Sequence, residues 1–212
     1  MRLVPVANDA WRFVIPLGAV GGFLITRPEW LLFSSGVLLL LAALFSLFFF
    51  RDFDRDTIAD DNLIYSPGDG KVMDVAQVYD ADHGSYRLVR IFLSVMDGHV
   101  QRSPVDGQIK TIEHRKGTFL DARDPRAHLE NERNSLTIET KRGTVTVTQI
   151  AGLIARRIVC WVKPGNSLKQ GERFGLIRFG SQVDVELPMS AKILVVGGDR
   201  VVSGRTVIAK WD

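Results

Sequence analysis

Residues 30–50 read WLLFSSGVLLLLAALFSLFFF, a run of the chain that contains no charged residue. A helix of this length extends about 30 Å, which matches the hydrocarbon core of a bilayer. A second apolar segment, FVIPLGAVGGFLI at residues 13–25, precedes it, and the polar residues 26–29 separate the two. The pattern predicts a helical membrane hairpin over residues 1–50, whose first arm is short for a full span. The alternative is a buried helical pair in a soluble core.

Positive charges flank this hairpin unequally. Arg2, Arg12, Arg51 and Arg55 lie at its two ends, whereas Arg27 lies in the turn. Because basic residues favour the cytoplasmic side, the distribution places both ends there. We therefore expect a protein of the cell membrane with its following domain on the cytoplasmic face.

The chain beyond the hairpin has the pattern of a β domain. Residues 51–61, RDFDRDTIADD, form a charged linker, and short β-branched runs follow, most of them separated by Gly, Pro, Asn or Asp. These runs occupy residues 71–75, 86–93, 108–114, 135–139, 144–150, 157–162, 182–187, 192–196 and 206–211. The spacing predicts a mainly β fold over residues 62–212, a compact β-sandwich or barrel-sandwich. The polar residues 120–134, interrupted by Pro125, predict a loop with at most one helical turn.

Composition excludes several classes of protein. The 212 residues carry a net charge of only +3, which gives no indication of a nucleic-acid partner. The single cysteine, Cys160, excludes an internal disulfide and any multi-cysteine metal centre. No two of the four histidines have the i, i+4 spacing of a helical metal site. We therefore expect no metal.

One short motif occurs twice. SPGDGKV at residues 66–72 is echoed by SPVDGQI at residues 103–109, and each copy places Pro and Asp-Gly before a strand. This is the composition of a tight turn. A third turn region, residues 162–171, is typical of the turn–strand–turn element in lipoyl- and biotinyl-type domains.

The residues that could carry chemistry are few, and each has an ordinary structural interpretation. Ser181 follows Gly180 at the start of a strand, where a turn serine is common. His99 lies in a loop, and Asp69 lies in a turn whose backbone an aspartate commonly binds. The basic pair Arg156 and Arg157 is compatible with a rim that meets anionic headgroups or with a solvated turn.

Taken together, five motifs resemble the short form of the phosphatidylserine decarboxylase family. They occur in the family's order, with the apolar hairpin ahead of them. The motifs are SPGDG at 66–70, LSVMDGHVQRSP at 93–104, NERN at 131–134, QIAGLIARRI at 149–158 and GERFGLIRFGS at 171–181.

The resemblance implies a pyruvoyl-dependent decarboxylase made as a proenzyme. The Ser181 hydroxyl would attack the Gly180 carbonyl, and elimination would then separate a large chain, 1–180, from a small chain, 181–212, that remains associated with it. Ser181 would become the pyruvoyl group, which is the electron sink that loss of CO2 from an α-amino acid requires. The substrate would be phosphatidylserine in the bilayer, converted through a Schiff base to phosphatidylethanolamine in phospholipid biosynthesis. Family members often pair, which allows a homodimer.

The resemblance also assigns roles to individual residues. Asp69 belongs to the set that activates Ser181, and His99 transfers a proton during decarboxylation. Longer bacterial members have a second histidine three positions after the first, where this chain has Arg102. The base that activates Ser181 is therefore open between His99, another histidine and a water molecule. Arg102, Arg156 and Arg157 are candidate partners of the substrate's phosphate or carboxylate.

Two other functions fit parts of the sequence. A membrane-anchored serine hydrolase or protease would use Ser181 as an acyl nucleophile. Its Ser–Lys form would require a buried lysine, and Lys71, Lys163 and Lys192 all lie in turns or at strand edges. A barrel-sandwich carrier would require an acceptor lysine at a hairpin tip, and the sequence has no Met-Lys-Met or Asp-Lys-Ala motif.

Overall fold

The computed structural model describes residues 6–80, 84–153, 157–178 and 181–212. The chain divides into two compact units, Met1–Asp54 and Arg55–Asp212. The first unit is helical and the second is mainly β, so the predicted fold class is confirmed.

The first unit contains a short 3-10 helix, Asn8–Ala10, followed by helices α1 (Trp11–Leu24) and α2 (Trp30–Phe49). Glycines let the two helix backbones touch: a Cβ atom placed on Gly21 would lie 3.0 Å from the Gly36 carbonyl oxygen. Such small-residue contacts are typical of helices that pack in membranes. Helix α2 alone, among the described residues, is long and apolar enough to cross a bilayer, with a mean hydropathy of 2.4. Its side chains Trp30, Leu31 and Leu38 are largely exposed, so this helix presents a large apolar surface.

The second unit is built from short strands. Within its described ranges these are β1 (Leu63–Tyr65), β2 (Gly70–Asp80), β3 (Gly84–Leu93), β4 (Val100–Arg102), β5 (Gly107–Arg115), β6 (Arg133–Thr140), β7 (Gly143–Ile150), β8 (Ile158–Cys160), β9 (Ser167–Leu168), β10 (Arg173–Ile177), β11 (Ser181–Pro188), β12 (Lys192–Ile193), β13 (Arg200–Val201) and β14 (Val207–Lys210). One short helix, α3 (Ala127–Glu130), interrupts the polar loop between β5 and β6. That loop and seven of the nine predicted strands are confirmed, whereas the runs 157–162 and 192–196 form strands only at Ile158–Cys160 and Lys192–Ile193.

The strands form antiparallel sheets. The largest has eight strands in the order β13-β2-β3-β11-β7-β6-β5-β9, and two three-stranded sheets have the orders β4-β10-β8 and β1-β14-β12. Strand β11 lies between β3 and β7, with Val183 opposite Ile91 on one side and Gln149 on the other. The strand that begins at Ser181 is therefore held on both edges by backbone hydrogen bonds.

Alternation along β11 divides its side chains between two faces of the sheet. Val183, Val185 and Leu187 are fully or almost fully buried in the hydrophobic core. Ser181 is in phase with them, whereas Gln182 and Asp184 point to the opposite face. Full burial of one such aliphatic side chain contributes about 1.5–3 kcal/mol, so the register that sets the orientation of Ser181 is strongly favoured.

The two copies of the repeated motif fold alike. Ser66 Oγ donates to the Gly68 carbonyl and Ser103 Oγ donates to the Val105 carbonyl, each at 2.7 Å. Each turn leads into a strand that begins at the glycine of Asp-Gly, Gly70 for β2 and Gly107 for β5. The predicted tight turns are therefore confirmed, and they provide an internal comparison for Asp69.

Candidate active site

Ser181 is the first residue of β11, and it is completely buried opposite Leu93, the last residue of β3. Its Oγ atom has no hydrogen-bond partner within the described ranges of the chain. A buried hydroxyl without a partner costs about 1–3 kcal/mol. Such an atom is unusual in a folded protein and is available for reaction.

His99 lies in the segment that joins β3 to β4, which starts directly after Leu93. Its ring is 1% exposed, and its Nδ1 atom lies 3.0 Å from the Asp97 carbonyl oxygen. Because a carbonyl oxygen can only accept, this contact places the proton of a neutral ring on Nδ1 and the lone pair on Nε2. The Asp97 carboxylate orders the same segment by accepting the Ser94 N–H at 2.9 Å.

Asp69 connects this segment to the rest of the site. A Cβ atom placed on Gly98 would lie 2.6 Å from Asp69 Oδ2, so the carboxylate touches the backbone next to His99. A Cβ atom placed on Gly68 would lie 3.1 Å from Val183, so the same turn packs against the beginning of β11. The fold thus brings the Asp69 turn, the His99 segment and the Ser181 strand together.

The Asp69 carboxylate connects its turn to two other segments of the chain. Its Oδ1 accepts the Ser203 N–H at 2.8 Å, and its Oδ2 pairs with Arg55 at 2.6 Å. Asp106 likewise accepts the Gln170 N–H in the second copy of the turn. The contact with Gly98 and the ion pair with Arg55 distinguish Asp69 from this counterpart. Arg55 falls in the segment that the sequence assigns to a linker, where no local signal reveals its partner.

Of the three arginines predicted to bind the substrate, the structure describes Arg102 and Arg157. Arg102 is 5% exposed, and its Nη1 donates to the Gly171 carbonyl at 2.9 Å. Arg157 is exposed. Arg156 and the cleavage-site residue Gly180 lie outside the described residues. Substrate binding by these arginines stays a prediction.

A cavity of about 460 Å³ in the second unit lies elsewhere; Leu63, Asp106 and Trp211 are among its lining residues. It contains neither Ser181 nor His99 nor Asp69, so its volume does not define the reaction site. The described residues include no group of three His, Cys, Asp or Glu side chains that could hold a metal ion.

A second polar group lies on the opposite face of the sheet. Asp184 is 5% exposed, accepts a hydrogen bond from Gln182 at 2.5 Å, and is opposite Arg90 in β3. Burial raises the pKa of the Asp184 carboxyl to about 7, an effect that the Gln182 hydrogen bond and the charge of Arg90 offset only in part.

This pKa predicts a pH-dependent stability. Between the ordinary pKa of 3.8 and the folded value of about 7, the folded state binds more protons than the unfolded state. The free energy of unfolding therefore falls as the pH rises through this window, by about 2–3 kcal/mol between pH 5 and pH 8. Asp184→Asn, which cannot ionise, should remove that part of the decline. Denaturant unfolding of both proteins in a Ser181→Ala background would measure it, and parallel pH curves would contradict the prediction.

Comparisons with known proteins identify the same family that the five sequence motifs resemble. The sequence model of the family described as phosphatidylserine decarboxylase matches residues 42–209. A protein of Citrifermentans bemidjiense is 40% identical over 209 residues, which cover 96% of this chain and 95% of the relative. A protein of Geobacter sp. strain M21 is 39% identical over the same shares of the two chains. Both relatives are named phosphatidylserine decarboxylase proenzyme.

Proposed function

This chain belongs to the phosphatidylserine decarboxylase family, and from that premise we propose that it cleaves itself between Gly180 and Ser181 to generate its own prosthetic group. Its activity is the decarboxylation of phosphatidylserine, a step of phospholipid biosynthesis, and it is made as a proenzyme. The alternative of a serine hydrolase receives no support from the comparisons. Ser181 is instead the residue that is converted.

The observation that carries the proposal is the state of the Ser181 hydroxyl. It is fully buried and lacks a hydrogen-bond partner among the described residues, at the point where the His99 segment and the Asp69 turn meet β11. Because a nucleophile in such a place has no competing hydrogen bond to break and no water to displace, it needs little free energy to begin its reaction.

Self-cleavage then proceeds in balanced steps. Ser181 Oγ loses its proton to a base and bonds to the Gly180 carbonyl carbon, and the C–N bond breaks as the Ser181 nitrogen gains a proton. The product is an ester. Removal of the Ser181 Cα proton expels the oxygen as the Gly180 carboxylate and leaves a dehydroalanine at residue 181. Addition of one water and loss of one ammonia give the pyruvoyl end of chain 181–212.

His99 is the base that the geometry favours for the first step. Two other histidines are described: His114 contacts Glu132 on the partly exposed edge of β5, and His128 lies in α3 beside Arg133. Neither belongs to the segments that meet at Ser181. The Nδ1 contact with Asp97 leaves Nε2 as the basic atom of His99.

The same residues serve the decarboxylation. The pyruvoyl ketone supplies the electron sink for the electron pair that remains when CO2 leaves. His99 would return a proton to the substrate α-carbon, and the Asp69 turn would hold its segment in place. Arg102, Arg156 and Arg157 are proposed to bind the lipid phosphate or carboxylate.

We place the protein at the cell membrane because α2 has the length and hydropathy of a membrane span. The arrangement with the second unit on the cytoplasmic face rests on the arginines at the ends of the hairpin. The substrate is a diacyl lipid that stays in the bilayer, so an anchor keeps the enzyme near it.

Two measurements test the proposal. A denaturing gel of purified protein should show two chains divided at residues 180 and 181. Borohydride added together with phosphatidylserine should attach the lipid covalently to the small chain. Protein that decarboxylates the lipid but remains a single chain would contradict the proposal, and so would labelling of Ser181 by a serine-directed probe in active enzyme.

Asp69→Asn should slow cleavage at least tenfold, because the amide places an N–H₂ donor against either Arg55 or the Ser203 N–H and displaces the backbone at Gly98. Asp106→Asn is the matched control, since it changes the equivalent turn, where the carboxylate accepts the Gln170 N–H and, within the described ranges, does not bond to the His99 segment. The rate is read as loss of full-length chain after synthesis. Equal slowing by both variants would indicate a general folding role instead.

A further inference from the structure

Gln149 is a buried amide on the same face of the sheet as Ser181. It lies in β7 directly opposite Val183 in β11, and Ser181 precedes Val183 by two residues. Since side chains alternate along a strand, Ser181, Val183 and Gln149 all point to the interior. Gln149 is 0% exposed.

The oxygen of the Gln149 amide accepts a hydrogen bond, whereas its nitrogen donates none to the described residues. Asn134 Nδ2 donates to Gln149 Oε1 at 3.0 Å, which sets the orientation of the carboxamide. Gln149 Nε2 has no hydrogen-bond partner within the described ranges, although it is shielded from solvent. The hydrogen bond from Asn134 therefore fixes the direction of the Gln149 Nε2 donor, which has no acceptor among the described residues.

A second glutamine converges on the same place. A Cβ atom placed on Gly175 of β10 would lie 3.1 Å from Gln149 Nε2, and Gly175 is paired with Gln101 of β4. Gln101 is also 0% exposed, and neither its Nε2 nor its Oε1 has a partner in the described part of the chain. Gln101 lies in β4, two residues after His99.

The amide groups of Gln149 and Gln101 that lack partners among the described residues reduce the stability of the folded protein. Each buried amide group without a partner costs about 1–3 kcal/mol, and native structures rarely keep several in one place. Gln149 shares a face of the sheet with Ser181, and Gln101 follows His99 by two residues; their missing partners are explained if a partner forms only during the reaction. Preorganised donors of this kind stabilise developing negative charge most effectively when water is excluded.

We propose that Gln149 donates from Nε2 to the oxyanion that forms on the Gly180 carbonyl during self-cleavage, with Gln101 as the neighbouring second donor. This inference rests on the proposed function. When Ser181 Oγ bonds to the Gly180 carbonyl carbon, the carbonyl electron pair moves to oxygen, and the amide N–H groups accommodate that charge. The pair returns to re-form the carbonyl when the C–N bond breaks, so the glutamines undergo no net change.

Gln149→Met tests the role, because methionine has nearly the same length and volume but no donor. We expect the intact chain to disappear at least a hundredfold more slowly than in the wild type, as for removal of one oxyanion donor. Gln149→Asn keeps an amide but withdraws its donor by about one C–C bond, so it should also cleave more slowly than the wild type. It also supplies a second variant if the methionine protein does not fold, which thermal unfolding would detect.

Gln182→Met is the matched control. Gln182 is next to Ser181 and 2% exposed, but its Nε2 donates to Asp184 on the other face of the sheet. We expect this variant to cleave at the wild-type rate, although its stability changes. Slowing as large as that of Gln149→Met would show a general packing effect and would overturn the inference.

Hydroxylamine identifies the affected step, since it cleaves esters rapidly and peptide bonds very slowly. If Gln149 acts in the acyl shift, the methionine variant accumulates no ester and hydroxylamine releases no additional fragment. Rapid release by hydroxylamine, or a wild-type rate of cleavage, would overturn this inference while leaving the proposed function intact. A wild-type chain that never cleaves would overturn both.

Discussion

Ser181→Ala is expected to yield a single uncut chain with no decarboxylase activity. Alanine has no oxygen to attack the Gly180 carbonyl, and without that step the residue that would become the electron sink is never formed. The effect should be complete, below the detection limit of both a denaturing gel and a CO2-release assay. Removal of this hydroxyl, which has no hydrogen-bond partner among the residues that the structure describes, should leave the fold intact or slightly more stable.

Ser135→Ala provides the comparison for this variant. Its Oγ bonds Thr148 Oγ1 at 2.9 Å on β6, away from the strand end at residue 181. The loss of that hydrogen bond should reduce stability by about 1 kcal/mol and leave cleavage unchanged. An uncut but active Ser181→Ala protein would refute the assignment of Ser181.

His99→Ala should have the second largest effect, with cleavage slowed by about 10²–10⁴. The variant removes the ring whose Nδ1 contacts the Asp97 carbonyl and whose Nε2 is the proposed base. Material that does become cut during long incubation should decarboxylate slowly per cut chain, because the same ring returns the proton. Added imidazole should partly restore cleavage, which a purely structural histidine would not allow.

His114→Ala is the control for this prediction, because His114 contacts Glu132 on an exposed part of β5. It should cleave and decarboxylate normally. Normal cleavage with lost decarboxylation in His99→Ala would restrict His99 to the second reaction and assign the first to another base or to water.

Much of the fold follows from local sequence. The uncharged run at residues 30–50 indicates α2, because a helix pairs the backbone N–H and C=O groups of so long an apolar segment within the segment itself. The longer strands show clear β-branched runs, as in β3 and β7. Strands β4 and β10 were not predicted, because three to five residues between glycines and arginines carry too little periodicity. Their pairing depends on partners distant in sequence.

The candidate site is only partly visible in the sequence. Asp69 and Asp106 occupy nearly identical motifs, and only the tertiary contacts with Gly98 and Arg55 separate them. Gln149 appears as an ordinary polar residue of an alternating strand. That its Nε2 finds no partner in the described part of the chain is a property of the packed interior, which no local pattern encodes. The family resemblance points to Ser181, His99 and Asp69, but it assigns no role to Gln149 or Gln101.

The central claim is that residue 181 becomes a blocked ketoacyl terminus, and the mass of the small chain from active protein tests it most directly. The account predicts the mass of residues 181–212 reduced by one ammonia, with no free α-amino group to sequence. A small chain that begins with an unmodified serine in fully active protein would contradict the account.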